Sequence, residues 1–352
     1  MEVYAQNSLF NVEGIFENFG SLIWTDRYMA SGDFELLLPR GEDTYDLLNR
    51  TSYLSIPSSE ETMVVESVEE EEHVKVTGRS LSSIMDRRIC DVTSVAPSSN
   101  TLTAFLRYLV LHNMGALATI PERRVDFLNI DTTPPVDFVD PTVFDVVKYG
   151  DYLYDAVQKL CVSNSLGFTI RNRPGSVLMY FKLYYGEDKT NHTFQTVFSE
   201  SIGNIQDVRR LKSDKAHKNV AVVNLPPWDS AAVGVGEIWR VNRFGVVPSG
   251  LDRREVWTDA SELRRDETFN ATNKPSRAVQ WGYQTLVGFP KANEIDFKVV
   301  ENSPYKYGVD YGLGDIVPVL DSLGEVIPHR VTEYIQSYGP EGSAEYPTLS
   351  AI

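Results

Sequence analysis

The run FELLLP (34–39) sets Phe34, Leu36 and Leu38 on one side of the chain and stops at a proline. A repeat of two belongs to a strand with one face in a core, and proline cannot donate to the next rung of a ladder. The same pattern surrounds it. SGD (31–33) is a turn signal, YLSIP (53–57) alternates, and TMVVESV (62–68) and EEHVKVTG (71–78) read as paired strands around an acidic turn. Residues 1–90 are thereby held to a sheet of short strands, followed by SLSSIMDRRI (80–89), which reads as a short helix with Leu81, Ile84 and Met85 inward.

The period changes after residue 100. SSN (98–100) offers helix caps, and Leu102, Phe105, Leu106, Leu109 and Val110 form the stripe of an amphipathic helix that Gly115 ends. DTTPPVDFVDP (131–141) reads as a loop. A second stripe, Leu153, Ala156, Val157, Leu160 and Cys161, predicts another helix, ended by Gly167. GFTIRNRPGSVLMYFKLYYG (167–186) reads as a hairpin turning at RNRPG. Strand signals resume in 193–211 and 218–227, a polar stretch fills 228–275, and strands and turns alternate from 276 onward. No fixed short repeat is present. The 352 residues suffice for two or three cores, and 18 Tyr with 16 Phe favour strands. The expected class is mainly β with an α+β insertion.

Acidic side chains number 49 against 33 basic, a net charge of −16, so tight nucleic-acid binding is not expected. Phosphate contacts need clustered Lys and Arg. A surface of this sign repels DNA and suits a passage through which DNA slides. Cys90 and Cys161 stand far apart and outside any CxxC spacing, which favours two buried thiols over a disulfide framework or zinc site. MEVYAQNSLFNVEG lacks a signal-peptide pattern, and no run approaches the roughly 18 apolar residues of a membrane span.

The most ligand-like stretch is YGVDYGLGDIVPVL (307–320). Gly308, Gly312 and Gly314 are followed by Asp315, without the lysine or hydroxyl of a phosphate loop, and strand-like IVPVL stands where a dinucleotide site needs a helix. The acids also miss the positions of a calcium loop. The reading is a tight turn that leads into a strand, with Gly312, Gly314 and Asp315 at its entry, in which glycine supplies positive φ and Asp315 accepts backbone hydrogen bonds. Glu66 and Glu69–Glu72 alternate faces and do not converge on a cation.

His73, His112, His192, His217 and His329 form no HExxH or HxH, and no GxSxG elbow is present. A glycosidase carboxylate pair stays open because acids are plentiful, although Trp24, Trp228, Trp239, Trp257 and Trp281 are scattered. Arginine pairs at 87–88, 123–124, 209–210, 253–254 and 264–265 are too short for a nucleic-acid patch. They suit ion pairs within or between subunits, with Arg79, Arg87, Arg88, Arg253 and Arg254 as candidate interface charges. No catalytic residue, cofactor-binding residue or metal ligand is assigned.

Taken in order, several segments resemble the siphophage tail proteins called Gp37-like, relatives of baseplate and tail-tip hub proteins. Early in the chain these are SLIWTDRYMASGDFELLLPR (21–40) and VVESVEEEEHVKVTGRSLSSIMDRRI (64–89). GDYLYDAVQKLCVSNSLGF (150–168), YYGEDKT (184–190), VFSESIGN (197–204) and KNVAVV (218–223) follow. RREVWTDASEL (253–263), YKYGVDYGLGDIVPV (305–319) and HRVTEYIQSYGPEG (329–342) complete the set. In YYGEDKT the resemblance implies an arginine where this chain has Lys189.

The resemblance implies two small β-barrels related by pseudo-symmetry plus two peripheral domains. Residues 1–95 would be the first barrel and 96–190 the helical α+β inset. Residues 191–225 with 276–340 would be a discontinuous second barrel, 226–275 a polar insertion and 341–352 a C-terminal tail. It further implies a homotrimer in the virion tail tip: a ring of six barrels around a DNA channel. The implied partners are distal tail or tail-tube proteins on one side and tip-fibre or tape-measure-related proteins on the other. No catalysis, cofactor or membrane span is implied. The chain end at Ile352, soon after the last barrel strands, is expected to leave no room for an enzymatic or receptor-binding extension. Two other classes stay open on the residues alone. One is a cell-wall hydrolase of the same tail. The other is a receptor or glycan binder, with 226–275 and its Trp228, Trp239 and Trp257 as the candidate surface.

Overall fold

A computed structural model describes the chain apart from residues 92–100, 137, 142–146, 173–174, 192–195, 228–235, 243–246, 266–268, 301–302 and 322–323, and the side chains of 264–265 and 292–296. Four strands open it: β1 (Val3–Gln6), β2 (Val12–Phe16), β3 (Ser21–Arg27) and β4 (Asp33–Leu38). Phe34, Leu36 and Leu38 of β4 are buried and their alternates half-buried, as the period of two requires. Helix α1 (Glu42–Arg50) follows, then β5 (Tyr53–Ser55), β6 (Thr62–Glu70) and β7 (Val74–Ser80). No residue of α1 is fully buried; Tyr45, Leu47 and Leu48 only lean on the sheet core, so this helix of nine residues adds little to it.

Leu81–Arg87 forms a 3-10 turn with Leu81 and Met85 buried and Ile84 half-buried. Helix α2 (Leu102–Asn113) is capped by Thr101, whose hydroxyl accepts the Ala104 N–H at 3.4 Å; the SSN expected to cap it lies outside the described residues. After β8 (Leu128–Ile130), α3 (Leu153–Ser163) ends earlier than Gly167 predicts. Ser165 takes the left-handed turn at φ 54, and Gly167 instead starts β9 (Gly167–Asn172), which is hairpinned with β10 (Met179–Tyr184). Part of the expected RNRPG turn, residues 173–174, lies outside the described residues. The sheet β8-β10-β9 shares one core with α2 and α3, including Leu106, Leu109, Val157, Leu160, Phe168 and Phe181.

The chain continues through β11 (Ile205–Ser213), β12 (Val220–Leu225), β13 (Glu237–Asn242), β14 (Glu255–Asp259), helix α4 (Lys274–Val287) and β15 (Ala292–Val299). β12 lies between β13, antiparallel, and β14, parallel. Val223, Leu225 and Val241 pack with Ala278 and Leu286 of α4. Helix α4 replaces the strands and turns expected from residue 276. Its buried stripe is Ala278, Gly282 and Leu286, so small residues carry most of a helical spacing and leave little apolar signal.

The last strands are β16 (Ile316–Leu320), β17 (Val326–Gly339) and β18 (Gly342–Ala351). The largest sheet runs β16-β17-β3-β4-β7-β6-β5-β1-β2, with β18 also on β17. Val3 of β1, Phe16 of β2, Trp24 of β3 and Leu36 of β4 belong to one cluster, so the sheet curls around its own core. β17 has two roles: Val326–Arg330 pairs with β16, and Glu333–Tyr338 pairs with β3. Its ladder with β18 shifts register between Val331 and Glu333, at the junction of the two halves. Residues 326–339, placed by resemblance in a second barrel, thus share a ladder with the strands of the first, and residues 342–351, expected as a tail, form a full strand. The chain packs as two compact units, one of Met1–Val208 with Phe297–Ile352 and one of Arg209–Asp296.

Candidate functional site

In the larger unit, YYGEDKT and YGVDYGLGD, remote in sequence, meet backbone to backbone. A Cβ on Gly186 would lie 1.9 Å from the Gly314 carbonyl carbon. The Ile316 N–H donates to the Glu187 carbonyl at 2.8 Å, and the Lys189 N–H to the Ile316 carbonyl at 2.9 Å. The Asp315 carboxylate accepts the Gly312 and Glu187 N–H groups, both at 2.8 Å, and its Oδ2 is 3.4 Å from Lys189 Nζ. The cation at 189, lysine in place of the implied arginine, thus meets a carboxylate.

Gly314 has φ +89°, and a Cβ there would lie 2.3 Å from Tyr28 Cε2. Both conditions select glycine. Buried Arg330 donates to the Gly314 carbonyl at 2.9 Å, with its guanidinium 5.7 Å from the ring centroids of Tyr28 and Tyr185. Asp310 faces a different partner, the Lys306 N–H at 2.7 Å. Gly312, Gly314 and Asp315 therefore join two backbone segments. Among the described residues, no three His, Cys, Asp or Glu side chains are grouped to hold a metal ion. No described helix is long and apolar enough to cross a membrane. Cys90 and Cys161 are buried free thiols.

The same unit buries an acid pair without a local sequence pattern. Asp26 is 3% exposed and Glu61 6%. Asp26 accepts Trp24 Nε1–H at 3.0 Å and the Ser59 hydroxyl at 2.8 Å. Glu61 accepts Thr169 Oγ1–H at 2.8 Å and Arg171 Nε–H at 3.0 Å, and Arg171 also pairs with Glu60. Burial, and then the charge of Glu61, push the Asp26 carboxyl up to about 7 against the pull of Ser59, Trp24 and Arg171. Tyr307 stacks on Tyr334 at 3.8 Å, and the Tyr334 hydroxyl donates to Glu345 at 2.8 Å. Burial pushes the Tyr307, Tyr334 and Tyr184 phenols well up. Glu60, Glu61 and Arg171 border a groove of about 500 Å³ together with Tyr4 and Asn172, and both carboxylates there are paired with Arg171.

The five candidate arginines separate by their partners. Arg79 holds Glu66 at 2.9 Å and also Asp86. Arg253 meets Glu255 at 2.6 Å, and Arg254 meets Asp214 at 2.7 Å. Arg88 donates only to the Arg123 and Arg87 carbonyls, at 3.2 and 3.0 Å. Among the described residues no carboxylate pairs with Arg87 or Arg88. Of the tryptophans proposed for a glycan surface, Trp257 is 60% exposed, Trp239 is half-buried and Trp228 lies outside the described residues.

A model of the family described as Siphovirus ReqiPepy6 Gp37-like protein matches residues 1–348. Among solved structures, the 43 kDa tail protein of prophage MuSo2 from Shewanella oneidensis is 14% identical, with TM-score 0.56 over 100% of this chain and 98% of that one. A tail protein from Neisseria meningitidis MC58 is 12% identical, with TM-score 0.55 over 99% and 95%. Prophage tail protein gp18 from Listeria monocytogenes EGD-e is 13% identical, with TM-score 0.54 over 99% and 94%. At these identities the likeness is one of fold. No curated protein matches the sequence.

Proposed function

Because the chain belongs to the Siphovirus ReqiPepy6 Gp37-like family of phage tail and baseplate proteins, we propose that it is a structural hub of the virion tail tip. The observation that carries this reading is the whole-chain match over residues 1–348, joined to a fold shared with prophage tail proteins across nearly their full length. Three copies form a ring around the DNA passage and connect the tail tube or distal tail proteins to the tip fibre or tape-measure-related proteins. Two barrel-like halves per copy give the ring six positions against a six-fold tube. The long strand β17, shared by two ladders, is the element that holds those halves in one piece. The net charge of −16 supports a passage that repels DNA.

The role is scaffolding rather than catalysis. Gly312, Gly314 and Asp315 close the start of β16, and the carboxylates at the 500 Å³ groove are tied to one arginine. The test is electron cryomicroscopy of the intact particle, with host cell-wall zymography of the purified chain beside it. A three-fold ring of this chain at the tail tip, with acids toward its lumen and no lysis on the gel, is expected. A neutral or basic lumen, or lysis lost on replacing Glu60 or Glu61, would overturn it.

A further inference from the structure

Leaving β7, the chain turns through Leu81–Arg87 and passes Arg88 to Ile89, which bridges to Tyr152. A groove of about 360 Å³ lies there, lined by Arg87, Arg88, Ile89, Arg123 and Tyr152, with the acids Asp86 and Glu122 beside them. Asp86 is taken by Arg79. Arg123 is 3.4 Å from Asp91 and donates to the Asn113 and Ile89 carbonyls. Arg87 and Arg88 thus bring two positive charges that form no ion pair with a described carboxylate, and with Glu122 also in the lining the groove keeps a net positive charge. Burial, and then the neighbouring charges of Arg123 and Arg87, lower the Arg88 pKa, the direction in which an arriving anion is favoured. Ile89 is 40% and Tyr152 58% exposed. Arginine beside exposed tyrosine is the composition of a protein interface.

The complement to this groove is on the same chain. At the β6–β7 turn Val68 is 44% exposed, and Glu69, Glu70, Glu71 and Glu72 are all exposed. None of the four acids is ion-paired to a described residue. The turn offers an apolar side chain followed by four acids; Lys75 lies across the ladder from Glu69 and the Tyr45 hydroxyl donates to Glu70, and the stretch keeps a net charge opposite in sign to the groove. A copy does not reach its own groove with it. The turn is at the Val74 end of β7 and the groove follows the Ser80 end, the length of a 7-residue strand away, or about 20 Å at about 3.3 Å per step.

We infer that the Arg87–Arg88 groove of one copy receives the Val68–Glu72 turn of a second copy. This rests on the trimer reading above and names its contact. Groove and turn are different surfaces, so the contact is head-to-tail, the kind that makes a ring when the rotation between copies closes. The experiment uses the full chain and measures mass by light scattering over a concentration series, with circular dichroism to check folding. Arg87→Glu with Arg88→Glu, and separately Glu70→Arg with Glu71→Arg, should each weaken self-association by about tenfold or more. All four reversals in one chain should restore it, because the groove and the turn then match again. A wild-type assembly that survives either pair of reversals, or a folded four-fold variant that stays dissociated, overturns the contact and leaves the trimer standing. A monomeric wild type overturns both. If reversing the arginines leaves the assembly intact but abolishes binding of a short DNA duplex, the groove takes phosphates and the inference fails.

Discussion

Gly314 holds a backbone angle that a β-branched residue resists, and Tyr28 fills the space its Cβ would need. Gly314→Val should therefore cost at least about 3 kcal/mol, from backbone strain and overpacking together, read as a large fall in melting temperature. Native-like melting of this variant would contradict the packing described. Asp26 makes a second prediction, with a sign. Its carboxyl titrates at about 7 in the fold and at an ordinary 3.8 when unfolded, so between those values the native state holds a proton that the unfolded chain has lost. Stability falls as pH rises across that window and levels off above about 7. Asp26→Asn keeps an acceptor for Ser59 and Trp24 but has no proton to lose. It should gain on the order of 3 kcal/mol over wild type between about pH 4 and pH 8, measured by denaturant unfolding at both. Parallel pH profiles for the two proteins would refute the assignment. Neither the acid pair nor the stacked Tyr307 and Tyr334 was legible in the sequence, because their members come from different strands and loops with no fixed spacing. The glycine turn was more legible: Gly314, Asp315 and the strand-like IVPVL are local, whereas Gly186 and Lys189, which complete it, are brought in by the fold.

β17 is the element on which the large sheet depends, since it pairs with β16, β3 and β18. Ending the chain after Gly339 would remove β18 and leave an unpaired edge along most of a 14-residue strand. Such an edge templates association with other chains. The truncated protein should be recovered in aggregates, as measured by the soluble fraction on expression; a soluble, cooperatively melting product would count against this account of β18. The double pairing of β17 was hidden in the sequence because its alternation specifies which face is buried and not which strand lies beside it. The elements with strong periods, β4, α2 and α3, were readable. α4 was not, because Ala278 and Gly282 bury a helix face without large side chains.

For the whole molecule, the decisive property is assembly. The chain carries −16 charge, yet Arg87 and Arg88 stand without a described carboxylate partner, while Arg79, Arg253 and Arg254 already have one. Adjacent arginines in one groove without a carboxylate partner fit a subunit contact better than isolated stability, because exposed pairs within a chain contribute little. Sequence spacing could group these five arginines but could not sort them, since an ion pair is set by what the fold places opposite. The most direct check on the hub reading is the mass of the purified chain in solution by light scattering. The account predicts a species of about three times 39.7 kDa that persists on dilution, and a strict monomer at every concentration would contradict it.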